Sequence, residues 1–328
     1  MKLSKRAFVL ALTLAAGLGP SLTRAQGAAD YPKAPVKLIV GFAPGGGVDL
    51  MARYLAKKLG ERMGQPFVVE NRAGASGNIG AAAVAKARPD GYTLLMTSVV
   101  HSINPSLFKS LPFDPVNDFA PVTTIGLSPI CFAAHPGAPF KTLPELVAHA
   151  KAHPGTVSYS SAGGGTMMAL GMDLFETMAG IKLLHVPYNS TGPSVQAAVA
   201  GNVQVVSSGC GAVEPFARSG QLRMLGTATA KPSELTPGVP TIADAGSVPG
   251  YEAASWQGIL APAGTPQAVI DKLSAEIAEV QKLPDVREFM AKQGIEPYVL
   301  PPARFAELVR SDIAKYQKIV KDSGVKLD

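Results

Sequence analysis

The chain has 328 residues, a formal net charge of +6, and 47% hydrophobic against 16% charged residues. At about 150 residues per domain this length predicts two domains. The apolar fraction is large enough for a packed core and argues against disorder. The modest charge, concentrated at the N-terminus, argues against nucleic acid as a partner.

Residues 1–25 have the pattern of an export signal. Three basic residues precede an apolar run from Ala7 to Gly19, which is too short to span a bilayer. Cleavage after about Ala25 would remove four basic residues and no acidic one, so the net charge would fall from +6 to +2. The sequence therefore predicts an exported, periplasmic protein, with a retained membrane anchor as the alternative.

Strand and helix patterns then alternate along the chain. Short apolar runs predict strands, and apolar residues at helical spacing predict helices. The first elements predicted are strands at Val36–Val40, Phe67–Glu70 and Tyr92–Met96 and helices at Asp49–Met63 and Asn78–Ala87. Alternation of this kind favours a parallel α/β sheet.

The same alternation restarts in the second half. Thr142 and Glu145 have the spacing of a capping box, which predicts a helix that ends near Pro154. The later elements predicted are strands at Val157–Ser160, Val203–Val206 and Arg223–Gly226 and helices at Thr166–Met178, Pro266–Gln281 and Pro302–Lys321. Two rounds of the pattern predict two α/β units.

The two cysteines are Cys131 and Cys210. An exported chain can form disulfides, but the sequence does not show that these two residues meet. The pattern favours a buried thiol at Cys131 and a loop thiol at Cys210. Because no Cys-x-x-Cys spacing exists, no metal pair is predicted.

Three glycine-rich loops each open a predicted helix. They are Ala43–Gly47, Ala73–Asn78 and Ser161–Gly165. Helix starts expose unpaired backbone N–H groups and the positive end of the helix dipole, and glycine lets a ligand approach them. Since no Lys or Arg lies inside these loops, they predict a neutral site for a reversibly bound carboxylate.

Other readings of the loops fit less well. The P-loop motif is absent, and Met168 stands where a dinucleotide fingerprint needs its third glycine. Ser161 as the nucleophile of a secreted hydrolase is the alternative function, although its loop is not Gly-x-Ser-x-Gly.

Asp49 either stabilises the start of its helix or orients a water that bridges to a ligand. Tyr188 either reaches the cleft or caps a strand.

Several longer motifs occur together in the chain. They are Leu38–Gly46 with Asp49, Val69–Arg72, Pro89–Leu95, His185–Tyr188 and Ala261–Pro266. In combination they resemble the periplasmic solute receptors of tripartite tricarboxylate transporters, often called Bug receptors. The resemblance covers the chain from Tyr31 to the C-terminus.

The resemblance implies a two-lobed, type II periplasmic-binding α/β fold that closes on an organic acid. Each lobe is expected to be a mostly parallel sheet flanked by helices, with lobe 1 at residues 26–125 plus 251–328 and lobe 2 at residues 126–250. Loops and resemblance together predict these ligand-binding residues: Gly46, Gly47, Asp49, Ser76, Asn78, Ser98, Ser161, Gly164, Gly165, Thr166, Tyr188, Ser208 and Gly209. No catalytic residue, metal or cofactor is predicted.

The ligand type follows from a departure from the family pattern. Family members often have an acidic residue shortly after the strand that corresponds to Val203–Val206, where this chain has Ser207 and Ser208. A buried ammonium group would lack a carboxylate partner there. The sequence therefore predicts a non-amino organic acid as ligand, membrane components of a transporter or a sensor protein as partners, and a monomeric receptor.

Overall fold

The computed structural model describes residues 30–163 and 166–323. The described residues from Pro32 onward cluster as one compact unit. The predicted signal segment, residues 1–25, lies outside the described residues, as do the predicted site residues Gly164 and Gly165.

The strands and helices largely follow the alternation predicted from the sequence. The strands are β1 (Val36–Val40), β2 (Phe67–Asn71), β3 (Thr93–Ser98), β4 (Phe119–Ser128), β5 (Ile130–Ala134), β6 (Ser158–Ser161), β7 (Leu184–Pro187), β8 (Val205–Gly209), β9 (Arg223–Thr227), β10 (Ser255–Pro262) and β11 (Glu296–Pro297). The helices are α1 (Gly47–Met63), α2 (Asn78–Ala85), α3 (Val100–Leu107), α4 (Leu143–Ala152), α5 (Met167–Ala179), α6 (Thr191–Val199), α7 (Cys210–Arg218), α8 (Ile242–Ala245), α9 (Gln267–Gln281), α10 (Pro284–Lys292) and α11 (Pro302–Ser323).

The strands form two mixed sheets flanked by helices, which confirms the α/β class. Sheet A has the order β11-β4-β10-β3-β1-β2, and sheet B has the order β7-β6-β8-β5-β9. Only three neighbouring strands in each sheet are parallel, namely β2-β1-β3 and β7-β6-β8. The expectation of mostly parallel sheets was therefore wrong in detail. The remaining strands pair antiparallel because the chain crosses between the sheets and returns in the opposite direction.

Two connections join the sheets side by side. The chain passes from β4 to β5 through Pro129 and returns from β9 to β10 over residues 228–254. The second connection is bonded to the start of β5, since the Ala228 amide donates to the Ile130 carbonyl at 2.7 Å. Its two ends are bonded to each other, since the Ala253 amide donates to the Ala228 carbonyl at 2.9 Å. Strand β4 runs through Gly126 to Ser128, past the predicted start of lobe 2. The division into lobes at residues 125/126 and 250/251 stays a prediction.

The core lies between the sheets and their helices. Strand β1 buries four of its five residues, as expected for a strand with parallel neighbours and both faces covered. At the sheet A end of the second connection, Trp256 is buried; its indole N–H donates to Asp312 at 2.8 Å, and its ring meets Phe305 edge-on at 5.1 Å. In the described part of the chain, no helix combines the length and the apolar character needed to cross a membrane.

Cys131 and Cys210 form a disulfide, with their Cα atoms 4.9 Å apart. The favoured interpretation, a buried thiol and a loop thiol, was therefore wrong, and the pairing that the sequence left open is present. Cys131 lies in β5 directly opposite Ser208 of β8, so Cys210 comes two residues further on. Cys210 is not in a loop but is the buried first residue of α7, and its amide donates to the Pro129 carbonyl at 2.9 Å. The disulfide thus joins the start of α7 to strand β5.

Candidate functional site

The loop Ala43–Gly47 leads from the end of β1 into α1. Gly45 has a φ of +86°, and Gly46 caps the helix without help from a side chain. A Cβ added at Gly45 or Gly47 would meet no heavy atom within 4 Å, and the glycines are exposed. The backbone N–H groups at this helix start are therefore open to a ligand.

Asp49 lies beneath this loop and is buried. Its Oδ2 accepts from the Gly45 amide at 2.8 Å and from Arg53 Nε at 3.0 Å, and its Oδ1 accepts from Asn71 Nδ2 at 2.7 Å. Burial raises the pKa of Asp49, but the hydrogen bonds from Arg53, Gly45 and Asn71 outweigh it and hold the pKa below its ordinary value. Asp49 therefore holds the Ala43–Gly47 loop in place through its bond to the Gly45 amide. Its role in orienting a water stays a prediction.

A second loop, Gly74–Asn78, is seated against the end of β1. Gly74, Ala75, Ser76 and Gly77 all have positive φ values, two of them at non-glycine residues. A Cβ on Gly41, just after β1, would lie 2.8 Å from Gly77 Cα. Such a close approach requires glycine, and it brings the second loop beside the first.

Asn78 is the buried polar residue at the start of α2. Asn104 of α3 donates through Nδ2 to Asn78 Oδ1 at 2.8 Å and to the Ser76 carbonyl at 2.9 Å. Asn78 Nδ2, in contrast, finds no hydrogen-bond partner among the described residues. An unpaired buried donor costs about 1–3 kcal/mol, which makes this amide a candidate donor to a water or a ligand.

Ser98 ends β3 at the same edge of sheet A. Since Val40 and Met96 are register partners, Ser98 lies beside the chain as it leaves β1. Ser98 is buried and faces Gln257 of β10 across the antiparallel pair. The side-chain oxygen Oε1 of Gln257 is buried and lacks a partner in the described residues.

The third loop links β6 to α5 in sheet B. Thr166 caps α5 by accepting from the Ala169 amide at 3.4 Å, and its hydroxyl donates to the Gly163 carbonyl at 2.7 Å. The Tyr188 amide donates to the Ser161 carbonyl at 3.0 Å, which brings the residues after β7 to the same loop. Ser161, Thr166 and Tyr188 are therefore neighbours, and their role in binding a ligand stays a prediction.

Ser161 has a partner that no local sequence pattern identified. Its Oγ lies 2.7 Å from His185 Nε2. The imidazole stacks on Tyr159 with ring centroids 4.6 Å apart, and burial lowers the pKa of His185. The parallel pairing of β6 with β7 places His185 opposite Tyr159, so only the strand register brings it to Ser161.

The end of β8 supplies a further helix start. Ser207 Oγ donates to the Met168 carbonyl at 2.7 Å, which ties β8 to the first turn of α5. Ser208 is buried, and its Oγ has no partner among the described residues. Gly209 caps α7, and a Cβ there would meet nothing within 4 Å. Sequence reasoning treated this segment as a loop and missed the helix that follows.

The predicted residues thus gather at the C-terminal ends of parallel strands. One group lies on sheet A and consists of Gly46, Gly47, Asp49, Ser76, Asn78 and Ser98. The other lies on sheet B and consists of Ser161, Thr166, Tyr188, Ser208 and Gly209. This edge of an open α/β sheet is where ligands usually bind.

The family model for the tripartite tricarboxylate transporter family receptor matches residues 51–325. The chain belongs to this receptor family. Its relatives include protein BugT of Bordetella pertussis, 36% identical over 299 residues that cover 90% of this chain and 91% of BugT. Membership confirms the resemblance that the sequence motifs indicated.

Solved structures of similar receptors carry small acids. R. palustris Rpa4515, in complex with adipate, is 34% identical with a TM-score of 0.71, covering 90% of this chain and 99% of its own. MatC of Rhodopseudomonas palustris, with bound malate, is 30% identical with a TM-score of 0.66, covering 88% of this chain and 100% of its own. Receptors of the tripartite tricarboxylate family are periplasmic.

Proposed function

We propose that this receptor captures a small organic carboxylate outside the cytoplasm and presents it to the membrane components of a tripartite transporter or to a sensor protein. Family membership supports the receptor role, and the bound adipate and malate of two relatives support the ligand class. The signal pattern in residues 1–25, with cleavage after about Ala25, supports export.

The observation that carries the proposal is the unpaired amide of Asn78. This buried donor lies at the start of α2, next to the open helix start of α1. A carboxylate oxygen, directly or through a water, would satisfy it while also facing backbone N–H groups. Neutral dipoles suit a ligand that must be released again, because they hold an anion without a fixed ion pair.

The charges of the site argue for an acid without an ammonium group. Asp49 is the acidic residue of the predicted set, and both of its oxygens are already taken by Gly45, Arg53 and Asn71. On sheet B the corresponding positions are Ser207 and Ser208. An ammonium group would therefore find no free carboxylate among these residues, whereas a second carboxylate can be met by hydroxyls and water.

A thermal-shift screen tests the ligand class. Acetate, malate, adipate and benzoate are compared with aspartate and glutamate, since a ligand of the folded state raises the Tm by mass action. We expect a shift with at least one of the four acids and none with the amino acids. A shift that an amino acid produces and none of the four acids produces would contradict the proposed ligand type.

Asn78→Asp is the sharpest change to the site. It keeps the oxygen that accepts from Asn104 but replaces the free donor with a negatively charged oxygen, which repels a carboxylate. We expect at least about a tenfold loss of affinity by calorimetry, since hydrogen bonds to charged groups contribute about 1.5–3 kcal/mol. Asn202→Asp, at an exposed position, makes the same change and should bind like the wild type.

One observation favours the alternative function, a secreted hydrolase acting through Ser161, and two observations argue against it. Ser161 Oγ lies close to His185, as a nucleophile lies to its base. However, Ser161 is fully buried, and in the described residues no carboxylate contacts His185 to orient it. Ester turnover that Ser161→Ala abolishes would favour the hydrolase; we expect no turnover.

A further inference from the structure

A short segment of sheet A lies at the place where the chain passes between the two sheets. Strand β11 belongs to sheet A, because Glu296 is the register partner of Leu127 in β4. Leu127 comes two residues before Pro129, where the chain passes to sheet B. The segment Gly294–Glu296 therefore lies at the boundary between the sheets, beside the two chain connections.

A loop from sheet B reaches the same place. Residues 229–240, the β9 loop, are attached at both ends to Thr227, the last residue of β9. At the start of the loop, the Thr229 hydroxyl donates to Thr227 Oγ1 at 3.2 Å. At its end, the Thr227 amide donates to the Pro240 carbonyl at 2.9 Å, and Thr241 forms a parallel bridge with Thr227. The β9 loop is therefore part of the sheet B side.

Glu296 joins the β9 loop to sheet A. Its Oε1 accepts from the Ser233 hydroxyl and from the Leu235 amide, the latter at 3.1 Å. Ser233 is buried, and its Oγ also accepts from the Leu235 amide at 3.2 Å, so the three groups close a hydrogen-bonded triangle. Hydrogen bonds to a carboxylate are roughly twice as strong as neutral ones. One side chain of sheet A thus holds the middle of the β9 loop.

A backbone contact next to Glu296 supports the same crossing. Gly294 has a φ of +67°, and a Cβ on Gly211 would lie 3.4 Å from Gly294 Cα. Gly211 is in the first turn of α7, directly after the disulfide-bonded Cys210 and two residues after the predicted site residue Gly209. This short segment of sheet A therefore touches sheet B at two separate places, one of them close to the candidate site.

We propose that Glu296 is a positioning residue that fixes the orientation of sheet B relative to sheet A in the free receptor. Two chain connections that lie side by side leave rotation about one axis free, and a further contact beside them restricts that rotation. The inference rests on the proposed function, since the candidate residues of both sheets must face the same acid. When the sheets are already held in one orientation, binding does not have to order them first.

Loss of this contact should widen the range of orientations and weaken the capture of the acid. Glu296→Ala leaves the Ser233 hydroxyl and the Leu235 amide without their shared acceptor. Apparent affinity falls in proportion to the fraction of molecules that keep the binding orientation. A fraction between about a third and a tenth in Glu296→Ala corresponds to an affinity that is about three- to tenfold lower.

The distance between two spin labels measures the orientation in the free protein. Lys57→Cys in α1 and Lys151→Cys in α4 provide exposed label sites on helices that pack against sheet A and sheet B. The native cysteines are joined in the disulfide, so only the new thiols react. We expect one narrow distance distribution in the labelled parent protein and a broader one after Glu296→Ala. Glu296→Gln keeps an acceptor oxygen and should restore most of the narrow distribution.

Ser233→Ala tests the same contact from the sheet B side and removes a single oxygen atom. It should broaden the distribution less than Glu296→Ala does. The double variant should match Glu296→Ala alone, because the two residues act through one contact. Glu288→Ala, at an exposed position of α10, is the matched control and should give the distribution of the parent protein.

Calorimetry with acetate, malate, adipate and benzoate then relates the orientation to capture. The acid that binds the wild type most tightly should bind Glu296→Ala about three- to tenfold more weakly, and should bind Glu296→Gln and Glu288→Ala much like the wild type. A distribution after Glu296→Ala that is as narrow as in the parent protein would overturn this inference, as would unchanged affinity despite a broader distribution. Failure of all four acids to bind the wild type would contradict the proposed function alone, since the distances are measured without ligand.

Discussion

The helix-start loops on the two sheets are built by different means. On sheet A, the loops before α1 and α2 are held by backbone packing, with Gly41 against Gly77, and by the buried charge of Asp49. On sheet B, the loops before α5 and α7 are held by hydroxyl and imidazole contacts and by the disulfide at Cys210. On sheet A the exposed glycines at the start of α1 leave backbone N–H groups open to an anion.

The difference predicts different sensitivities for the two groups of loops. The sheet A loops, which are held by backbone packing, have no space for an added side-chain atom at their contact. The groups that hold them do not titrate near neutral pH. A network of hydroxyls around a histidine tolerates small steric changes but responds to protonation. We therefore expect sheet A to be the rigid half of the site and sheet B the half that adjusts to the ligand and to pH.

The largest expected effect is on the sheet B side, at the disulfide. Cys131 and Cys210 are separated by 79 residues, and a cross-link over a loop of that length stabilises the fold by about 4 kcal/mol in the chain-entropy model. We expect the Tm of the wild type to fall by roughly 10 °C after reduction. The measurement is a thermal melt with and without reductant.

The control for reduction is the double variant Cys131→Ala/Cys210→Ala. Since the chain has only two cysteines, the Tm of this variant should be lower than that of the oxidised wild type and should not change when reductant is added. A wild-type Tm that does not move after complete reduction would show that the bridge contributes little, and sheet B would then not depend on it.

The next largest effect is expected on sheet A, from Gly41→Ala. The new Cβ would lie 2.8 Å from the Cα and the carbonyl oxygen of Gly77, which are backbone atoms and cannot move aside. Overpacking of this kind costs about 1–3 kcal/mol. We expect a free energy of unfolding lower by at least about 2 kcal/mol in urea titrations, together with weaker ligand binding.

Gly47→Ala is the matched control for this steric change. Its Cβ would meet no atom within 4 Å, and Gly47 begins α1 without a positive φ. Its free energy of unfolding should stay within about 0.5 kcal/mol of the wild type. Equal destabilisation by both variants would mean that glycine flexibility, and not the contact with Gly77, matters in these loops.

A smaller effect is expected from Asp49→Asn, which removes the charge beneath the first loop. The folded state holds the pKa of Asp49 below its unfolded value of 3.8, so the contribution of the carboxylate to stability is complete above that pH. It is lost as the pH falls through the lowered pKa. We expect the variant to be less stable by about 1–2 kcal/mol at pH 7, with a gap that narrows below pH 4.

Urea titrations of wild type and Asp49→Asn at pH 7, 5, 4 and 3 measure that gap. Asp271→Asn, at an exposed position in α9, serves as the control. A gap between wild type and Asp49→Asn that is unchanged from pH 7 to 3 would show that shape, and not charge, is what Asp49 contributes to sheet A.

Much of the local structure was predictable because it depends on neighbours in the chain. Thr142 caps α4 by accepting from the Glu145 amide, as the capping-box spacing indicated. The start of α5 at Thr166 and the long helix α11 were likewise visible as local patterns. Strands β4 and β10 were not predicted. Their antiparallel pairing in sheet A joins segments that are far apart in the chain, so no local pattern indicates it.

The amino-acid sequence by itself determined the class of the protein, the positions of its glycine loops and its family, because glycine, cap residues and apolar spacing act over a few residues. Only the tertiary structure decided which of these residues meet. The pairing of Cys131 with Cys210, the contact of Ser161 with His185 and the unpaired amide of Asn78 all depend on strand register and helix packing. A register is fixed by the burial of whole strand faces against the core, and no short motif carries that information.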